Sequence, residues 1–508
     1  MKHKAGLEET KDSLSWVQGI VRKEYSDMLL RQYNTAKGEE KEQLWQEIQV
    51  LLEMRKNLQL FSDNPLSRAP TKAKASDGFF AIGTVINAGK ELYPWKVDDS
   101  FFYNHVLQTA APSHGKSTHI SATKSELVKN NVAWVSLDSK SDYAGLIKIH
   151  PEILVVDAHS DLRFNIFEAP PGVEPKVWRN LVIDATSHSF GYGHGVKGYL
   201  QKAIDVIIDE RGDDFHIGHV YEVIKGWSES SRVSQDYRDV ILSRLELANE
   251  CKDVFWCKNS MPFEEIKWLI IRTHKVSVEV HSLIFEILLL REFIFRLFNN
   301  IKDEAAELKV FFVDEAGKTS LAESREKDWT AREISTPTIT KFLTMARQFH
   351  LGVWASDQLY SALSDSLKSV ASTKIIGRLN SGKDINAVSK DMLLDDEKES
   401  IPKLQTGEWI IRTAKINKPF MIRSADVKIP RITEEEIEQH MAGKRFWLQK
   451  EKEVEKIKKS VSSTLSQDEW YLLTHVNEHP FTQFSNRLRQ GMGKGRLELA
   501  KQSLIEKG

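Results

Sequence analysis

Cysteine is nearly absent from this 508-residue chain, which holds only Cys251 and Cys257. Six positions apart and without a second pair, they make neither a zinc-ligand pattern nor a disulfide framework, and they suit a reducing cytosol. Net charge is also lacking. The 71 Lys and Arg nearly cancel the 72 Asp and Glu, so global charge nominates neither nucleic acid nor a membrane surface; only a local patch would. No long apolar run is free of charge. The most hydrophobic stretch, SLIFEILLLREFIFRLF from Ser282 to Phe298, carries Glu286, Arg291, Glu292 and Arg296. It reads as a buried helix, not a membrane span. The opening MKHKAGLEETKDS is too polar for a secretory signal. These absences point to a cytoplasmic protein with no membrane segment, long enough for about three domains.

What is present is a strand–loop–helix–strand unit between Asn104 and Leu146. A short apolar run, His105 to Thr109, leads through Ala110-Ala111-Pro112-Ser113-His114-Gly115-Lys116-Ser117-Thr118 into a helical pattern. A second apolar run, Val132 to Leu137, follows and ends on Asp138. Backbone N–H groups of such a loop face one concavity and the helix N-terminus adds positive dipole, which suits nucleotide phosphate. Ser113, His114, Gly115, Lys116, Ser117 and Thr118 are the candidate phosphate-binding residues. Lys116 would reach the β- and γ-phosphates, and Ser117 would place its hydroxyl on Mg2+. In the usual spacing, G-x-x-x-x-G-K-[ST], Ala110 replaces the first glycine, so the loop must begin without positive φ. His114 is bulky where a small residue is common.

Leu308 to Glu315, LKVFFVDE, predicts a buried parallel strand ending on two acids at its C-terminal edge. There Asp314 would hold the Mg2+ shell through water, and Glu315 would polarise the attacking water as general base. Leu351 to Ser356 predicts another buried strand, followed by Asp357-Gln358. Gln358 could sense the γ-phosphate or orient water. Phe79–Ile86, Ile153–Asp157, Thr373–Leu379 and Gly407–Arg412 are further strand candidates. Arg347 and Arg378 lie near strand edges. Each could complete a neighbouring subunit's site as an arginine finger, or serve in a salt bridge or phosphate contact elsewhere.

Other stretches carry less. Gly193-His194-Gly195-Val196-Lys197-Gly198 has the form G-x-G-x-x-G, but no strand leads into it, so it reads as a helix-to-helix loop. Ile432 to Ser460 is charge-dense and predicts a solvated helical arm. Leu465 to Gly508 predicts three short amphipathic helices bearing Arg487, Arg489, Lys494, Arg496 and Lys501. That basic patch suits a winged-helix core without its wing, or a small protein-docking domain.

In order, HVL, GKST, VSLDSKSDYAGL, a long helical stretch, VFFVDEAG, ARQFHLGVWASDQLYSALSDSLKSVASTKIIGRLNSGKDI and LQTGEWIIR resemble the HerA/FtsK superfamily of P-loop motor ATPases. The HerA-like and conjugative coupling-protein branches look closest, over about residues 78–425. The resemblance implies an α/β, RecA-like core. Residues 1–77 would form an N-terminal helical hairpin and linker; 78–172 the first half of the core; 173–301 an all-helical insertion; 302–428 the second half of the core; and 429–508 the arm and winged-helix-like segment. It further implies Lys116 and Ser117 as the Walker A pair, Asp314 and Glu315 as the Walker B pair, and Gln358 as the sensing glutamine. Arg347 and Arg378 match trans-acting positions. ATP and Mg2+ are the implied cofactors. The implied partners are further copies in a homo-oligomeric ring, expected to be a hexamer; DNA, or sometimes protein, in its pore; and an effector such as a nuclease in end resection or anti-phage defence. The chain departs from HerA, which has an N-terminal β-barrel, and from coupling proteins, which carry N-terminal membrane helices. Expected, then, is an ATPase that translocates or unwinds DNA. The alternatives are a nucleotide-gated scaffold with little turnover, or a conjugation- or secretion-type coupling ATPase.

Overall fold

The computed structural model describes residues 23–62, 69–87, 89–319, 321–322, 338–394, 397–445 and 447. The expected winged-helix segment with its basic patch, the second half of the expected arm, and most of the loop from Gly317 to Ser335 lie outside these residues. The chain forms two units, Met1–Ile437 and Glu438–Gly508.

The first unit is built on one 11-stranded sheet. In chain order the strands are β1 (Phe80–Asn87), β2 (Lys90–Val97), β3 (Val106–Thr109), β4 (Ala133–Asp138), β5 (Leu154–Asp157), β6 (Trp268–Arg272), β7 (Lys309–Asp314), β8 (Leu351–Asp357), β9 (Thr373–Ile376), β10 (Glu408–Arg412) and β11 (Phe420–Ser424). Across the sheet they run β2-β1-β11-β10-β9-β3-β8-β7-β4-β6-β5. From β9 to β5 every pairing is parallel; from β9 out to β2 every pairing is antiparallel. The parallel strands are covered on both faces, which is why they read as unbroken apolar runs. β7 and β8 are buried along their whole length.

Ahead of the sheet, α1 (Lys23–Thr35) and α2 (Glu39–Ser62) form a helical hairpin. The turn between them contains Gly38 at φ 61°. Leu29, Tyr33 and Ile48 make their shared core. Helix α3 (Lys116–Lys129) links β3 to β4. Between β5 and β6 come α4 (Pro175–Phe190), α5 (His194–Arg211), α6 (Ile217–Gly226) and α7 (Arg232–Asn249). The G-x-G-x-x-G stretch is not the expected loop: Gly193 is the N-cap and His194 to Gly198 form the first turns of α5, with no strand leading in.

One expectation fails here. The stretch 173–301 is not all helical: β6 lies inside it and enters the sheet between β4 and β5. WLIIR is short, and a run of that length cannot be told from a helix segment by periodicity. Helix α8 (Val278–Phe298) then returns the chain to β7. It is buried through most of its length, and its charges are paired. Glu286 receives Ser189 Oγ at 3.2 Å. Arg291 meets Glu264 at 2.7 Å, and Glu292 takes both Arg296 at 2.8 Å and Lys309 at 2.6 Å. Among the described residues, no helix is long and apolar enough to cross a membrane.

Candidate active site

The parallel strands bring their C-terminal ends to one edge, and β3 lies between β8 and β9. Thr109 of β3 is level with Asp357 of β8, and Ser356 of β8 is level with Asp314 of β7. Adjacent strands stand about 4.8 Å apart, so the tips of β3 and β7 are about 10 Å apart. Ligands of open α/β sheets bind at this edge.

The loop from Ala110 to Thr118 leaves β3 and caps α3. Gly115 is the N-cap, at φ 100°, which only glycine adopts without strain. Ser113, exposed, is also left-handed at φ 60°. The loop is sewn to three strand ends. Ala110 N–H donates to the Asp357 carbonyl, Ala111 N–H to the Arg378 carbonyl, and Gly407 N–H to the His114 carbonyl. Lys116 Nζ lies over the loop and donates to the Ala110 carbonyl at 2.5 Å. Burial pulls its ammonium below the usual lysine range, while Asp314, Asp357 and Glu315 nearby work to keep the proton. Thr118 sits half-buried on the first turn of α3.

His114 is placed otherwise than expected. Its side chain is wholly buried and Nε2 donates to the Glu408 carbonyl at 2.7 Å. Its ring meets Trp409 edge-on, centroids 4.8 Å apart. Only a glycine at 377 leaves it room: a Cβ there would come within 2.1 Å of the His114 ring and 2.7 Å of Ala110 Cβ. The histidine side chain therefore braces the loop from beneath.

Asp314 and Glu315 lie at the same edge. Burial raises the Asp314 carboxyl to about 6; Lys140 opposes this, and Asp138 and Glu315 add to it. Glu315 is left-handed at φ 56°. Its Oε1 receives Lys140 Nζ at 3.0 Å, and its Oε2 receives Lys318. Burial alone would raise this carboxyl, but the two lysine hydrogen bonds outweigh it and hold it at about 2. Asp357 ties the two neighbouring strand ends together: its Oδ2 accepts Gly317 N–H at 2.7 Å and its Oδ1 accepts Gln358 N–H at 2.7 Å. Gln358, half-buried, thus stands beside the turn that follows Glu315.

The residues missed by sequence reasoning lie on α3, in β4 and just after it. Ser117 Oγ donates to Asp142 Oδ2 at 2.9 Å. Asp138 accepts the N–H groups of Lys140, Asp142 and Tyr143 at 3.3, 3.0 and 2.9 Å. Lys124 of α3, fully buried, donates to Ser136 Oγ at 2.7 Å and lies 3.2 Å from the Tyr143 ring centroid. The signal was the string DSKSDY, an acid every fourth position at a strand tip.

The two arginines separate. Arg378 follows β9 at the phosphate edge, where its carbonyl takes Ala111 N–H. Arg347 precedes β8 and so lies at the opposite edge, 6.0 Å from the Tyr103 ring centroid. The site does not bring Arg347 to its own phosphate loop.

Ser117, Asp142 and Asp314 offer hard oxygen donors, the chemistry Mg2+ selects. Among the described residues, no three His, Cys, Asp or Glu side chains group as a metal site. That fits an ion held by one or two protein oxygens, with phosphate and water supplying the rest.

Solved structures share this fold. VirB4 of Thermoanaerobacter pseudethanolicus matches at TM-score 0.51 and 12% identity, over 69% of this chain and 98% of that one. The plasmid coupling protein TrwB in complex with ADP and Mg2+ matches at TM-score 0.51 and 12% identity, over 72% and 92% of the two chains. TrwB with the non-hydrolysable GTP analogue GDPNP matches at TM-score 0.50 and 10% identity, over the same shares. No protein-family model matches the sequence, and no curated protein does. The architecture is therefore the α/β, RecA-like fold that the sequence resemblance implied.

Proposed function

We propose that the chain is an ATPase that binds Mg2+-ATP at the edge shared by β3, β7 and β8, and uses its hydrolysis to move along DNA. The supporting observation is convergence: Lys116 and the acids 314 and 315, far apart in sequence, share one electrostatic neighbourhood. In this reading the loop N–H groups of Ser113 to Thr118 and the Lys116 ammonium bind the β- and γ-phosphates. Ser117 ligates Mg2+, and Asp314 holds its water. Glu315 takes a proton from the attacking water, and Gln358 senses the γ-phosphate. Arg347, on the far edge, serves a neighbouring copy, and Arg378 contacts phosphate within its own subunit. We take the assembly to be a HerA-like, cytoplasmic ring, a hexamer by resemblance, with a partner effector such as a nuclease in DNA unwinding, processing or anti-phage defence.

The test is hydrolysis by the purified protein at low salt, with and without DNA. DNA is expected to stimulate turnover, and the stimulation to fade as salt rises. Lys116→Ala should abolish nucleotide binding, and Glu315→Gln should retain it without hydrolysis. A protein that hydrolyses ATP equally with and without DNA is not this motor. A second reading, a nucleotide-gated scaffold with little turnover, draws support from Glu315, whose two oxygens are both taken by lysines. Slow, DNA-independent hydrolysis together with ATP-dependent assembly, read by mass measurement, would favour it. A conjugation- or secretion-type coupling role would show as stimulation by a protein partner instead.

A further inference from the structure

We propose that Lys140 is a positioning residue that holds Glu315 away from the attacking water, and that Mg2+-nucleotide releases it. The proposal rests on the reading of Glu315 as general base. The segment 138–143 is rooted by Asp138, whose carboxylate takes three of its backbone N–H groups. From that root two side chains reach opposite sides of the site. Lys140 reaches Glu315 at 3.0 Å, and Asp142 reaches the Ser117 hydroxyl at 2.9 Å. Ser141 between them is left-handed at φ 60°. Lys140 interacts electrostatically with Asp314, Glu315 and Asp142. Its ammonium therefore neutralises the same carboxylates that a divalent cation on Ser117 would meet.

The two cations compete. Held by Ser117 and Asp314, a divalent ion would repel the Lys140 ammonium and attract the Asp142 carboxylate. Both forces act on one short segment and draw Lys140 off Glu315. Lys318 remains on the other oxygen, exposed enough to yield to water. His281, from α8, also faces this pair and is held neutral by burial. The base is thus withheld until the metal and its nucleotide are seated, which limits idle proton abstraction.

The experiment combines turnover with hydrogen exchange. Lys140→Met should raise DNA-independent kcat on the order of fivefold, the worth of a partly exposed ion pair, with KM little changed. Lys140→Arg, which keeps the pair, should stay near the parent. In a Glu315→Gln background, Lys140→Met should add nothing. In the unaltered chain, amides of segment 138–143 should exchange faster with Mg2+ and a non-hydrolysable ATP analogue than with the analogue and a chelator. Asp142→Asn should erase that difference. A lowered kcat in Lys140→Met, an equal rise in the Glu315→Gln background, or exchange indifferent to Mg2+ overturns the proposal. If Glu315→Gln alone leaves turnover intact, the base assignment fails first. If it abolishes turnover while Lys140→Met gives no rise, only the hold fails.

Discussion

His114 fits under the phosphate loop because Gly377, from another strand end, carries no side chain. Gly377→Ala would push a methyl into the ring and into Ala110. Overpacking of this kind costs about 1–3 kcal/mol, and here it falls on the loop itself. Denaturant unfolding should show that loss, and titration with a fluorescent ATP analogue should show weakened binding. His114→Ala in the same chain should restore some of both, but not all, since Ala110 Cβ still stands 2.7 Å from the new methyl. Lys124 gives a second residue-scale prediction. Burial depresses its ammonium to about 7, with Asp138, Asp314 and Asp142 opposing. Between that value and the ordinary 10.5 the unfolded chain holds a proton that the folded one does not, so stability rises with pH across the window. Lys124→Met should flatten that rise and stabilise most below pH 7, as read from melting temperature against pH. Neither residue's environment was legible in sequence. The meeting of Lys116 with Asp314 and Glu315 at one sheet edge was, because the strands that lead to them read as buried apolar runs. Gly377 and Lys124 depend on strands that meet only in the fold.

Helix α8 shows how an element survives with charges inside it. Glu292 is fully buried and faces Arg296 and Lys309. Burial favours the protonated acid, but the two cations hold its carboxyl below the ordinary range. Glu292→Ala would strand two buried cations and should cost about 3–5 kcal/mol. Glu292→Gln keeps the shape and some hydrogen bonds and should cost less. Thermal unfolding of the two variants side by side checks the order. The buried character of α8 was readable from its apolar surplus, as were β1, β3, β4, β5, β7, β8, β9 and β10 from short apolar runs. Three strands were not seen. β2 begins with exposed residues and contains Pro94, which an edge strand tolerates because one side has no ladder to supply. β6 lies among helical patterns, and its short apolar run reads as part of them; β11 has no such explanation.

At the scale of the whole molecule, the two arginines predict how copies must meet. If Arg347 serves a neighbour, Arg347→Ala and Lys116→Ala proteins should each fail to hydrolyse ATP alone, yet regain activity when mixed under assembling conditions. Some interfaces then join an intact loop to an intact arginine. Arg378→Ala mixed with Lys116→Ala should not recover, since Arg378 belongs to the edge that its own loop occupies. Turnover across a titration of mixing ratios distinguishes the two.

The pairing of β1 with β11 sets Gly83 opposite Ser424. β1 pairs at once with β2, the next strand in the chain, but a ribosome must have made most of the polypeptide before β1 meets its second neighbour. Closing so long a loop is slow, and until then one edge of β1 is open to stray strand pairing. Expression of fragments that stop short of Phe420 should accordingly give aggregates, and the intact chain should depend on chaperones during synthesis.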